Sequence, residues 1–107
     1  MTKSYENSDP PREDIDAIRE PLLLEFGSNY CGICSAAEPG ISAATAAYPS
    51  LRHIKIEDGR GRRLGRSFGV KLWPTLVFMK EGIEVARLVR PRDPSAIREA
   101  LAGIAEA

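Results

Sequence analysis

No apolar run in the chain approaches the ~18–20 residues that cross a bilayer. The run Leu22–Leu24 is interrupted by Glu25, and Leu76–Met79 ends at Lys80. The opening residues, Met1-Thr-Lys-Ser-Tyr-Glu, have no apolar stretch of the kind found in a secretory signal. Net charge is also lacking, because fifteen Lys+Arg balance fifteen Asp+Glu. No overall field therefore argues for nucleic acid or an anionic membrane. Cysteine is scarce: two residues cannot build a disulfide scaffold or a four-cysteine zinc site within one chain. What remains, 107 residues with 43% apolar content, suits one small soluble domain over 1–107. Residues 1–8 are polar and fit either a weak edge strand or a disordered tail.

The zero net charge conceals a division. Residues 1–51 carry three basic and eight acidic side chains, residues 52–92 eleven and four, and residues 93–107 one and three. The basic excess is mostly arginine: Arg60, Arg62, Arg63 and Arg66 cluster, followed by Arg87, Arg90 and Arg92. Such a cluster is either a solvated face or a patch that orients an acidic partner. Aromatic side chains suited to stacking bases are not interleaved with it, which argues against nucleic acid.

Asp9-Pro10-Pro11 is expected to cap a first helix, with apolar spacing at Ile15, Ile18 and Leu22 and an end at Pro21. Leu22–Phe26 has the length of a buried strand and leads into a Gly27-Ser28-Asn29 turn. The alanine-rich stretch from Cys31 to Tyr48 predicts a helix kinked at Pro39. Leu51, His53, Ile54 and Ile56 suggest a strand, and Arg60–Phe68 a short helix closed by Gly69. Thr75–Met79 and Ile83–Val89 form a hairpin about Glu81-Gly82. Pro94-Ser95 opens a last helix with Ile97, Ala100, Leu101 and Ile104 on one face. The order α-β-α-β-α-β-β-α implies an α/β fold with one central mixed sheet and helices on both faces.

The two cysteines, Cys31 and Cys34, stand three apart where a buried strand gives way to a helix. Cys31 would meet free N–H donors and the positive end of the helix, and both favour the thiolate over the thiol. A thiolate attacks disulfides, and Cys34, one turn deeper, would resolve the mixed disulfide. Three other uses compete: a zinc half-site with His53 as the sole histidine, a structural disulfide that constrains little chain, and two inert core cysteines.

At these residues the chain resembles the thioredoxin family, from about residue 15 to 106. Cys31-Gly32-Ile33-Cys34 follows a strand, and Pro39 stands where that family kinks its active-site helix. Trp73-Pro74-Thr75 resembles the motif whose proline is cis and faces the dithiol, and Gly82 falls at the next hairpin. The resemblance implies the thioredoxin fold, a cis peptide at Pro74, and recognition of extended substrate backbone beside it. It also pairs Glu25 with the family's buried aspartate, which moves a proton to or from the inner cysteine. A lone acid in such a strand is costly to bury ionised. Alternation puts it on the face of Leu23, opposite Leu22, Leu24 and Phe26. An acid on an edge strand facing solvent is the other reading.

The departures from the family pattern are specific. Tyr30 replaces a tryptophan, Ile33 a proline, Trp73 a smaller residue, and Arg90 a glycine that admits substrate backbone. His53 falls near a position that often holds a buried lysine beside the acid; it is expected as a partly exposed strand histidine, with an interaction with Glu25 as the other reading. The resulting expectation is a thiol–disulfide oxidoreductase with a narrower client range than general thioredoxin. Cys31, Cys34 and Glu25 would act catalytically, and Pro74, Trp73, Thr75, Tyr30, Gly32, Ile33 and Arg90, with help from Arg92, would shape the substrate groove. No metal or organic cofactor is required. Electrons would come from a thioredoxin reductase-like flavoenzyme or glutathione, to a monomer in the reducing cytoplasm acting on protein disulfides. The rivals are an interaction module with little turnover, an oxidant or isomerase, and an intermolecular metal clip.

Overall fold

The central strand, β1 (Leu22–Gly27), is buried along its whole length in a computed structural model that describes residues 4–105. It pairs in parallel with β2 (Arg52–Glu57) and antiparallel with β3 (Thr75–Lys80). Beyond β3 lies antiparallel β4 (Ile83–Val89), so the sheet order is β2-β1-β3-β4. Helices cover both faces, as the alternating pattern requires. On one face Leu22, Leu24, Phe26, Ile56, Val77 and Met79 pack against Ile15 of α1 (Arg12–Asp16), Leu64 of α3 (Arg63–Ser67) and neighbouring Phe68. On the other, Leu23, Leu76 and Phe78 meet Ile41 and Ala44 of α2 (Gly32–Thr45) and Ile97, Leu101 and Ile104 of α4 (Pro94–Ile104). No helix among the described residues is long and apolar enough to cross a membrane.

The order of elements follows the sequence pattern, whereas several helix ends differ. The first helix spans only five residues and lacks a side-chain cap. Pro11 is extended there, and Asp9 is carried away to accept the N–H groups of Arg63 and Leu64 at 2.9 and 3.0 Å. Asp9 thus caps α3, a helix 54 residues further on. Ile18 lies past the end of α1, and Leu22 belongs to β1. The second helix ends at Thr45 rather than Tyr48. The Thr45 hydroxyl donates back to the Ile41 carbonyl at 3.0 Å, a bond that bends or ends helices. The third starts at Arg63, after Gly61 in left-handed backbone, rather than at Arg60.

In the hairpin turn, Glu81 and Gly82 both have positive φ, the geometry of a tight two-residue connection. A side chain at Gly82 would begin 2.3 Å from the Asp16 carbonyl oxygen, so glycine is required there for space as well as conformation. Of the segment 1–8, residues 1–3 lie outside the described part, as does the 106 at the far end of the resemblance. Glu6 forms one parallel bridge to the free edge of β2, with Glu6 N–H to Lys55 O at 2.7 Å and Glu57 N–H to Glu6 O at 2.9 Å. Arg62 holds the following residues through Asn7 Oδ1 and the Ser8 carbonyl.

Candidate active site

The turn after β1 delivers Cys31 to the N-cap of α2 in extended backbone, where its sulfur accepts the Cys34 N–H at 3.2 Å. Cys31 is half-buried and Cys34 is 3% exposed; both are free thiols. The shorter helix between them and Thr45 still contains Pro39. Burial pushes the Cys34 thiol up to about 11, with the neighbouring Cys31 sulfur adding to the effect; a backbone hydrogen bond from Ser28 and the Tyr5 hydroxyl oppose it. One sulfur therefore reaches solvent at a helix N-terminus while the other is held neutral beneath it.

At the same end of the sheet, where Phe26 pairs with Thr75, the Trp73–Pro74 peptide is cis and Pro74 is buried. The Arg90 N–H donates to the Pro74 carbonyl at 2.8 Å, and the Arg90 guanidinium Nε–H donates to the Trp73 carbonyl at 2.9 Å. Arg90 has φ +51°, the left-handed backbone that favours glycine. Trp73 is half-buried, with its indole N–H on Asp58 Oδ2 at 2.8 Å. Thr75 is buried, and its hydroxyl donates to the Leu72 carbonyl at 2.6 Å, closing the loop internally. Tyr30, 95% exposed, and Ile33 project at the rim, and Gly32 is exposed between the cysteines. Beside them a groove of about 540 Å³ runs between α2 and the loop after β4, lined by Gly32, Ile33, Ala37, Arg90, Arg92 and Pro94 among others.

Glu25 is fully buried, which rules out the solvent-facing reading. Strand parity and the β1–β2 register, which sets Glu25 opposite Lys55, collect its partners. Tyr5 donates a short hydrogen bond to Glu25 Oε2, His53 Nε2 lies 2.9 Å from Oε1, and Lys55 Nζ is 3.9 Å from Oε2. His53, with 15% of its side chain exposed, is a partly exposed strand histidine that also makes the contact with Glu25. The buried lysine belongs two residues further on. Lys55 is 2% exposed, binds Glu38 of α2 at 2.8 Å, and stacks 4.5 Å above the Tyr5 ring centroid. A buried charge survives only with such partners. Lys55, Glu38 and Tyr5 were missed by the sequence reading. The available signal was a lone cation inside Ile54-Lys55-Ile56 with the same strand parity as Glu25, and one aromatic in an otherwise polar leader.

The described residues contain no cluster of three or more His, Cys, Asp or Glu side chains able to hold a metal. A strand–dithiol–helix unit, with a cis proline entering the neighbouring strand at the same end of a mixed sheet covered by helices on both faces, has the architecture of a thiol–disulfide exchange protein. A model of the thioredoxin family matches residues 5–103, and the chain belongs to that family as a thiol–disulfide oxidoreductase. It is 32% identical over 83 residues to thioredoxin of Chlamydia muridarum, covering 77% of this chain and 81% of that one. Its fold is similar to that of reduced thioredoxin 2 from Pseudomonas aeruginosa PAO1, with TM-score 0.87, 48% identity, and 97% and 96% of the two chains covered. Protein disulfide-isomerase of Gallus gallus is 33% identical over 92 residues, 82% of this chain but 17% of that protein.

Proposed function

We propose that the chain, as a single domain over 1–107 and as a monomer, reduces disulfides in a restricted set of protein clients. The Cys31 thiolate attacks one client sulfur and forms a mixed disulfide, releasing the other client sulfur as a thiolate. Cys34, once deprotonated, attacks Cys31, closes the intramolecular disulfide and frees the second client sulfur. Two electrons thereby pass from the dithiol to the client. A thioredoxin reductase-like flavoenzyme or glutathione restores the dithiol in a reducing compartment such as the cytoplasm.

The observation that carries this reading is the unequal placement of the two sulfurs, Cys31 at the solvent-reaching N-cap and Cys34 buried beneath it. The narrower client range rests on Arg90. Its guanidinium is anchored on the Trp73 carbonyl beside the cis proline, and with Arg92 it lines the groove. Clients carrying a carboxylate near their disulfide would be favoured there. Pro74 and its flanking backbone would receive the extended client, with Tyr30, Ile33 and the Trp73 ring as apolar contacts.

The test uses the chain's single tryptophan, which sits in the cis peptide. Its fluorescence is followed through glutathione redox buffers while insulin reduction is assayed in parallel. A redox-dependent signal with turnover is expected, and the absence of both would remove the oxidoreductase reading. For client range, Arg90→Gly should lower the preference for acidic over neutral disulfide peptides by a few-fold, the scale of an exposed ion pair worth up to about 1 kcal/mol. An unchanged preference would refute the role given to Arg90.

A further inference from the structure

The Tyr5 hydroxyl occupies a position that the dithiol chemistry leaves unexplained. It is hydrogen-bonded to Glu25 Oε2, and it shares the space above Gly27 with the Cys34 sulfur. Both are packed on Gly27: a side chain there would begin 2.6 Å from Tyr5 Oη and 2.8 Å from Cys34 Sγ. The absence of a side chain at Gly27 is what leaves room for the phenol between acid and thiol. Asn29, two residues before Cys31, clamps the Tyr5 backbone from both sides, accepting its N–H at 2.9 Å and donating to its carbonyl at 3.2 Å. The Glu6 bridge to β2 fixes the next residue. The N-terminal segment is therefore built into the site.

We propose that the Tyr5 hydroxyl is the proton conduit between Cys34 and Glu25, a role that rests on the oxidoreductase reading above. In the resolving step the Cys34 S–H proton passes to Tyr5 Oη while the Tyr5 O–H proton passes to the Glu25 carboxylate. The phenol is neutral before and after, Glu25 ends as the carboxylic acid, and Cys34 is left as the thiolate that attacks Cys31. No other reactant is needed, and the reverse transfer returns the proton when the disulfide is reduced. The exchange is concerted because burial and the Glu25 charge hold the Tyr5 hydroxyl far above its ordinary range, so a free phenolate does not form. Glu25 is faced by Tyr5 from the N-terminal segment and by His53 and Lys55 from β2, with Glu38 of α2 behind Lys55. Cys34, whose N–H is on the Cys31 sulfur, neighbours the Tyr5 hydroxyl above Gly27.

The experiment mixes reduced protein with a chromogenic aromatic disulfide (Ellman's reagent) in a stopped-flow instrument. The first thionitrobenzoate released reports attack by Cys31, and the second reports resolution by Cys34. In Tyr5→Phe the ring, its packing and its contact with Lys55 are retained. Its first phase should be unchanged and its second slowed about tenfold or more near pH 7, at the lower edge of general acid–base effects. The deficit should close as pH rises and hydroxide takes the Cys34 proton directly. Glu25→Gln should show the same deficit, and the double variant should be no slower than either single one, since both break one path. A second phase like wild type at all pH values overturns the conduit. So do equal losses in both phases, the mark of a structural role, or multiplicative losses in the double variant. If wild type releases no second equivalent, the oxidoreductase reading fails and the conduit with it. A biphasic wild type beside an unaffected Tyr5→Phe variant removes the conduit alone.

Discussion

Lys55→Met provides a direct test of how the buried charges are held. Lys55 Nζ lies 2.8 Å from Glu38 and 3.9 Å from Glu25, and it covers the Tyr5 ring. At an effective dielectric of about 20, Coulomb's law gives these pairs roughly 6 and 4 kcal/mol of gross attraction. Most of that offsets the several kcal/mol needed to strip water from each ion. Methionine keeps the stem's volume and removes only the charge, so what is lost is the compensation of two carboxylates. Glu38 is 17% exposed and can recover hydration, whereas Glu25 has no exposure and retains only Tyr5 and His53 among the partners described above. The cost should fall near the lower end of the ~3–5 kcal/mol seen when one member of a buried pair is removed. We expect about 3 kcal/mol in urea unfolding at neutral pH and a melting temperature lower by roughly 12 °C, at about 4 °C per kcal/mol. Lys55→Met combined with Glu25→Leu should regain at least half of that loss, because the stranded charge is gone. A single variant within about 0.5 kcal/mol of wild type, or a double variant as unstable as the single one, would refute the reasoning.

Gly27→Ala should destabilise by about 1–3 kcal/mol in urea titrations, because its methyl would start 2.6 Å from the Tyr5 ring and hydroxyl and 2.8 Å from the Cys34 sulfur. An unchanged midpoint would mean that this contact relaxes freely. Asp93 caps α4 by accepting the Ser95 N–H at 2.9 Å, so Asp93→Ala should lose ~1 kcal/mol by thermal or urea unfolding. On the alkaline side, the folded protein keeps the Cys34 proton to about pH 11, whereas an exposed thiol loses it near its ordinary 9.0. The unfolded chain then binds fewer protons, so the stability of the reduced protein should be fully present below pH 9 and fall between about 9 and 11. Cys34→Ala should make that part of the pH profile shallower. An identical slope would show that Cys34 is not its source.

Local patterns carry far in this chain. The apolar run Leu22–Leu24 and the Thr75–Met79 stretch mark strands because buried central strands must be apolar on both faces. Strand parity alone puts Glu25 on the face of Leu23, and the tertiary structure covers that face with α2 and α4. The cysteine spacing, at a strand-to-helix junction, placed the dithiol. Helix ends were less legible. Asp9 has the chemistry of a cap but serves α3 rather than α1: Pro11 is extended ahead of α1, and the Asp9 carboxylate accepts the first N–H groups of α3. The Arg62 and Arg87 side chains, counted in a basic surplus, are engaged within the chain, Arg62 with Glu57 O, Asn7 and Ser8 and Arg87 with Glu84.

Short-range periodicity, turn chemistry and the cysteine spacing predict the order of elements, the mixed sheet with helices on both faces and the dithiol, and the resemblance to the thioredoxin family adds the cis peptide at Pro74. What surrounds the buried acid comes from long-range packing. Tyr5 reaches Glu25 across 20 residues and Lys55 reaches Glu38 across 17. These meetings depend on the β1–β2 register and on the bridge that lays Glu6 along β2. A charge can stay in a core only where other elements bring its partners, and sheet register and chain path, which bring those partners together, are properties of the whole fold.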